Sequence, residues 1–212
     1  MAVITISRLI GSGGSKIGKE VAKLLEYKFI DREFIQKIMD QYGETAFRKI
    51  YDEKLSFWNR YSDVTNEMLG LFNRIMLSIA KFGNIVIVGR GSFASLGEYA
   101  NVLNVMIYAP MNIRVHAIMA SEGITDLAKA EEYIIQQDKI RKSFIENTYN
   151  VEWNRIDNFD MVFNTGKLNS SLVTEMIVMA AQALDKKVSI SGALMSDIPD
   201  DETLDNAVKN LL

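Results

Sequence analysis

Ala2–Ser7 (AVITIS) is short, apolar and rich in β-branched residues, and it runs into the cluster Gly11-Ser12-Gly13-Gly14-Ser15 just before a helical period begins. A buried strand that ends in a glycine turn and continues at once as a helix is the opening unit of an α/β sheet. Ile17, Val21, Leu24 and Leu25 share one face of that helix, and the brief apolar stretch Lys28–Ile30 (KFI) follows Tyr27 as a second strand.

The alternation continues. From Arg32 to Phe82 the pattern is helical, most plainly at Val64, Met68, Leu71, Phe72, Ile75, Ile79 and Phe82, and Gly83-Asn84 stops it. Ile85–Val88 (IVIV) and Val102–Tyr108 (VLNVMIY) are apolar enough to be central parallel strands covered on both faces. Met111–Glu122 reads as a helix, Asp126–Glu146 as a longer one capped by Thr125, and Met161–Phe163 as a last short strand. Ser170 or Ser171 would cap a closing helix to about Leu184. Beyond it lies a polar tail whose end is weakly amphipathic through Leu204, Val208 and Leu211. Strands alternating with helices predict a parallel sheet between two helical layers, with right-handed crossovers that bring every strand's C-terminal end to one rim. Ligands bind at that rim. The polar features that follow strands are Ser7–Lys16, Asp31-Arg32, Gly89-Arg90-Gly91 and Asn164-Thr165.

Composition narrows the chemistry. The 212 residues suit one compact domain, and a net charge of −3 offers no basic footprint for nucleic acid or an anionic membrane surface. With no cysteine, thiolate nucleophiles, disulfides and Cys-based zinc sites are excluded, and the single histidine, His116, removes most triads and histidine metal sites. His116 lies on a helical pattern where packing or solvent exposure is its ordinary fate. The start lacks the basic flank and apolar run of a signal peptide, and no segment approaches a membrane span, so a cytoplasmic setting is expected.

The glycine turn presents backbone N–H groups at a helix N-terminus, where the partial positive charge favours a phosphate. Phosphate-binding loops of the form G-x-x-x-x-G-K-[ST] add a lysine for the β and γ phosphates and a hydroxyl for magnesium. Aligned with that form, Arg8 replaces the first glycine, Gly14 stands where the lysine belongs, and Ser15 takes the hydroxyl position. Lys16, Lys19 or Arg8 could supply the missing charge. A glycine turn also simply permits close packing of strand and helix.

The ordered set ISRLIGSGGSKIGKEVAKLL, FIDREFI, IVIVGRGSFA, VMIYAPMNIRV, Asp138 with Arg141, and FDMVFNTGKL resembles the cytidylate kinase-like branch of the P-loop nucleoside monophosphate kinases. The resemblance covers roughly Val3–Leu184. It implies a three-layer α/β/α fold with a five-stranded parallel sheet and a domain over 1–184 with a helical insertion near 32–82 and a lid near 120–137, and it leaves the C-terminal tail over 185–212 unexplained. It implies an ATP-dependent phosphotransferase using Mg²⁺, whose partner is a small nucleotide. Gly11, Ser12, Gly13, Gly14, Ser15 and Lys16 would cradle the donor, and Ser15 would touch the metal. Arg8, Arg32, Arg90, Arg114 and Asp138 would hold substrate, with Lys16, Asp31 and Arg141 in catalytic positions.

Each position has a plainer alternative. Asp31 could orient the acceptor, cap the helix that starts at Arg32, or do both. Arg90 between two glycines suits bidentate phosphate binding but could pair with a helix carboxylate. Asp138 and Arg141, at i and i+3, could be an ordinary surface pair. Trp58 and Tyr61 could pack between helices or line an acceptor pocket. Ala120–Gln137 carries Lys129 against Glu122, Asp126, Glu131 and Glu132, a poor arginine clamp, and Val88 occupies the strand-end position where many such loops have a magnesium-binding aspartate. These departures keep open a second function, a nucleotide-binding or interaction protein that retains the fold without turnover. In that reading the tail could dock on a partner or on a second copy as a homodimer. A kinase of another small acceptor is a third.

Overall fold

Five strands form one wholly parallel sheet in the order β2-β3-β1-β4-β5, seen in a computed structural model that describes residues 2–41, 63–186 and 192–212. They are β1 (Val3–Arg8), β2 (Lys28–Ile30), β3 (Ile85–Val88), β4 (Val102–Tyr108) and β5 (Met161–Asn164). The helices are α1 (Gly14–Leu25), α2 (Arg32–Gln41), α3 (Asp63–Lys81), α4 (Ser92–Leu96), α5 (Met111–Glu122), α6 (Leu127–Tyr149), α7 (Ser170–Asp185) and α8 (Glu202–Lys209). The α/β architecture and the five-stranded sheet are as the residue pattern predicts. Trp58 and Tyr61 lie outside the described residues.

β1 is the central strand. Val3 is in register with Ile85 on one side and Val102 on the other, and Arg8 stands opposite Ile107. The order of connection reverses at β1, which opens a crevice beyond its C-terminal end. Period-two alternation then sorts the side chains. Ile4, Ile6, Val86, Val88, Val105 and Ile107 face α1 and α7, meeting Ile17, Val21, Val173 and Ile177. Val3, Ile85, Ile87 and Val102 face the other layer, with Ile35, Ile38, Phe72, Ile75 and Ile79. Each such side chain, removed from water, contributes about 1.5–3 kcal/mol.

The stripe on α1 differs in one position from the expected one. Leu24 is 53% exposed, while Gly18 faces the sheet because a Cβ there would come within 2.7 Å of the Val88 Cγ2. Gly18 therefore lets helix and strand approach closely.

Polar side chains inside the sheet are paired. Thr5 Oγ1 donates to Asn104 Oδ1 at 2.7 Å, and Trp153 Nε1 donates to Ser7 Oγ at 2.8 Å. The second bond ties the chain just after α6 to the residue preceding Arg8. Two caps fall one residue from their expected places. Asp126, not Thr125, accepts the Lys129 N–H at the start of α6, and Asn169, not Ser170 or Ser171, accepts the Leu172 N–H at the start of α7. In both cases a short polar side chain sits in extended backbone directly before the first helical residue, which is the geometry capping requires.

The closing segment is no detached tail. Met195, Leu204 and Val208 are fully buried in the cluster that contains Ile35, Phe72 and Ile79. Asp201 and Asp205 receive Arg74 and the Ser78 hydroxyl (2.6 Å), Lys81 reaches Asp200 and Asp205, and Lys28 Nζ donates to the Leu212 carbonyl. Weak amphipathicity was enough, since one stripe of Leu204 and Val208 covers an apolar face that α2 and α3 leave open. The apolar stripe of this segment is therefore buried within the chain itself.

Candidate active site

The turn between β1 and α1 is built so that its amides point outward. Gly11 and Gly13 both have left-handed backbone (φ 77° and 78°). Ser12 is buried: its hydroxyl donates to the Leu9 carbonyl at 2.7 Å and contacts the Ile107 carbonyl at 3.2 Å, and its N–H goes to Leu9. Its carbonyl accepts from Thr165 Oγ1 at 2.9 Å. Ser12 thus fixes the turn and keeps no donor for a ligand. The N–H groups of Gly13, Gly14, Ser15 and Lys16 have no acceptor among the described residues, the first helical bond being from Ile17 to Gly13. No side chain caps α1, and no carboxylate lies in its first turn. Its positive end is open to an anion.

Two cavities meet at this rim. One, of about 400 Å³, is walled by the glycine turn from Arg8 to Lys16, by Ala117, Ile118, Ser121 and Glu122 of α5, and by Arg141 of α6. The other, of about 290 Å³, is lined by Arg8, Arg32, Val88, Arg90, Gln137, Ile140 and Arg141. Arg8 and Arg141 border both. Among the described residues, the lining of the second cavity brings together four arginines and no carboxylate. A planar guanidinium donates two parallel hydrogen bonds to a phosphate or carboxylate, so this lining suits an anion.

Arg90 is the most constrained of the four. It is 7% exposed and sits at φ 62° between Gly89 (80°) and Gly91 (69°). Three successive left-handed residues are costly, and a non-glycine residue held there is a common sign of function. Tyr149 closes the turn from outside: a Cβ at Gly91 would lie 2.4 Å from its Cε2, and its hydroxyl donates to Asn73 Oδ1 at 3.0 Å.

The remaining sequence-predicted residues divide. Arg32 stands in the arginine cavity, and Ser15 and Lys16 stand exposed at the glycine turn. Arg114 and Asp138 line neither cavity. They form an ion pair between α5 and α6, Arg114 donating to the Ile10 carbonyl and Asp138 accepting the Ile10 N–H at 2.9 Å. Both thereby hold the glycine turn, apart from the linings where substrate contact is expected. Asp31 also lies outside both linings, and its Oδ1 accepts the Glu33 and Phe34 N–H groups at 3.0 and 3.1 Å, so it caps α2. His116 is solvent-exposed. Gln137 joins the lining of the arginine cavity without a motif to mark it, although its i, i+4 spacing from Arg141 puts both on one face. Tyr149 and Trp153 left no local signal, because their partners are 76 and 146 residues away.

The donor set suits a cation only in one form. Among the described residues no group of three or more His, Cys, Asp or Glu is placed to hold a metal, and Val88 is buried at the strand end. The Ser15 hydroxyl is exposed with no partner among those residues. That fits Mg²⁺ carried in on phosphates, since the ion commonly relies on substrate oxygens and water with few protein ligands.

The model of the cytidylate kinase-like family matches residues 3–167. A cytidylate kinase of Pyrococcus horikoshii is 26% identical over 186 residues, covering 86% of this chain and 90% of its own. Among solved structures, an uncharacterized protein from Eubacterium ventriosum superposes with a TM-score of 0.68 at 19% identity, covering 86% of this chain and 99% of its own. Shikimate kinase from Bacteroides thetaiotaomicron does so with a TM-score of 0.52 at 16% identity, covering 86% and 97%. These two speak for the fold. Among the described residues no helix is long and apolar enough to cross a membrane.

Proposed function

Because this chain belongs to the cytidylate kinase-like family, we propose that it transfers the γ-phosphoryl group of ATP to a nucleoside monophosphate, most specifically a pyrimidine one. The observation that carries this reading is the pair of cavities sharing Arg8 and Arg141: open amides on one side and, among the described residues, a lining of four arginines on the other. The donor triphosphate lies on the N–H groups of Gly13–Lys16, with Lys16 at the mouth. Arg90 and Arg32 bind the acceptor's phosphate, and Arg141 meets the group in transit. Such transfer needs little covalent help from the protein, only positioning and charge stabilisation.

The acceptor's chemistry also accounts for Asp31. A phosphate monoester near neutral pH is largely a dianion, its second pKa being about 6, so its attacking oxygen has no proton to lose. No general base is required. Asp31 instead starts α2 and thereby presents Arg32. Mg²⁺ bound through the donor phosphates, with Ser15 as its protein contact, would neutralise charge on the β and γ oxygens.

ADP release from ATP and Mg²⁺ is measured across the nucleoside monophosphates, beside Arg90→Ala. Turnover with CMP or UMP that Arg90→Ala weakens chiefly through acceptor KM supports the assignment. ATP binding without turnover on any acceptor replaces it with the nucleotide-binding alternative, which the absent strand-end carboxylate favours.

A further inference from the structure

We propose that Arg8 supplies the cation that related phosphate loops take from a lysine at the position of Gly14, and that residue 14 is glycine because the Arg8 stem fills the space where that lysine would begin. The proposal rests on the donor site assigned above and names the group that completes it.

Two glycines from different loops make room for this one side chain. A Cβ on Gly14 would stand 2.7 Å from Arg8 Cβ and 3.0 Å from its Cγ. A Cβ on Gly89 would stand 1.9 Å from Arg8 Nη1 and 2.9 Å from its Cζ. The stem therefore crosses the start of α1, and the guanidinium rests on the turn that carries Arg90. A lysine at 14 and an arginine at 8 exclude one another at their first carbons, so the two departures from the usual loop are one exchange.

The placement is also fixed. Arg8 is the last residue of the central strand, in register with Ile107, and its carbonyl accepts from Arg141 Nη1 at 3.5 Å. With Arg141 it borders both cavities. Lys16 does not: its second neighbourhood is the groove between α1 and α7, away from the arginine cavity. In the transfer, an acceptor phosphate oxygen forms a bond to the γ phosphorus while the bond from that phosphorus to the β–γ bridging oxygen breaks. The electron pair leaves on ADP, and no proton need move. Charge spreads over the transferring group and the leaving oxygen, at the boundary where a planar guanidinium can donate two hydrogen bonds at once.

The test compares wild type with Arg8→Gln, which keeps most of the stem, Arg8→Gly, Gly14→Lys and the double exchange Arg8→Gly with Gly14→Lys. Melting curves establish which of them fold. Titration with Mg–ATP and turnover with CMP are both read. Arg8→Gln is expected to weaken Mg–ATP about tenfold and to lower kcat roughly a thousandfold. Millimolar guanidinium should restore Arg8→Gly in a saturable manner, which a purely structural role would not produce. The double exchange should bind Mg–ATP better than either single variant. Wild-type affinity in folded Arg8→Gln, or a folded Arg8→Gly that guanidinium leaves unchanged, overturns the proposal. Wild type that binds Mg–ATP without turnover removes the kinase reading, while the affinity comparisons still decide the role of Arg8. Wild type that binds no Mg–ATP overturns both.

Discussion

Arg114 and Asp138 hold Ile10 by both of its backbone polar groups, one donating to its carbonyl and the other accepting its N–H. Their side chains are 8% and 17% exposed, so the pair joins α5 to α6 at a desolvated point directly beneath the glycine turn. Both helices wall the cavity at the glycine turn, and this ion pair links their spacing to the shape of the loop.

Asp138→Ala leaves a buried guanidinium without its carboxylate and strips Ile10 of an acceptor. A loss of about 3 kcal/mol in denaturant unfolding is expected, since removing one partner of a buried pair exposes the full desolvation cost of the other. Asp138→Asn retains an acceptor for Ile10 and should lose less. In either variant that folds, KM for ATP should rise more than KM for the acceptor.

Arg90→Ala should raise acceptor KM by about tenfold to a hundredfold, the worth of a charge-assisted hydrogen-bonded contact, while KM for ATP changes little. Gly91→Ala should destabilise the fold by more than about 1 kcal/mol, because φ is 69° there and Tyr149 occupies the space of the new methyl group. Steady-state kinetics and thermal melts separate the two effects.

Asp31→Asn should keep both stability and kcat near wild type, as asparagine caps as well as aspartate. Asp31→Ala should cost about 1 kcal/mol and disturb acceptor binding through Arg32. A kcat collapse in folded Asp31→Asn would instead assign the carboxylate a direct part in the reaction.

Acid should loosen the C-terminal helix. Arg74 and the Leu204 N–H hold the Asp201 carboxyl below its usual range. Burial alone would raise Asp205, but the Ser78 hydroxyl and the Lys81 ammonium outweigh it and bring it down as well. A carboxyl lowered in the folded state stabilises above its unfolded pKa, about 3.9, and that contribution disappears as pH falls through the folded value. Protection from hydrogen exchange in residues 200–212, measured against the intrinsic rate, should therefore fall below about pH 4, and Asp205→Asn should flatten that dependence.

What the residue order determined by itself was local. β-branched runs, glycine stops and a 3.6-residue period are properties of neighbouring positions, and they were enough for the sheet, the rim and the open amides of the glycine turn. They also marked Arg90, because glycines on both sides are visible without any fold. Tertiary structure decided which charges line the two cavities. Arg114 and Asp138 look no different from Arg141 along the chain, yet one pair is spent on Ile10 and the other arginine borders both cavities. It likewise decided that Leu204 and Val208 close the core, since two apolar residues on a short polar helix acquire their value only from the exposed face they cover. Pairings across 24 to 153 residues depend on where the crossovers return the chain, and no periodicity within a segment records that.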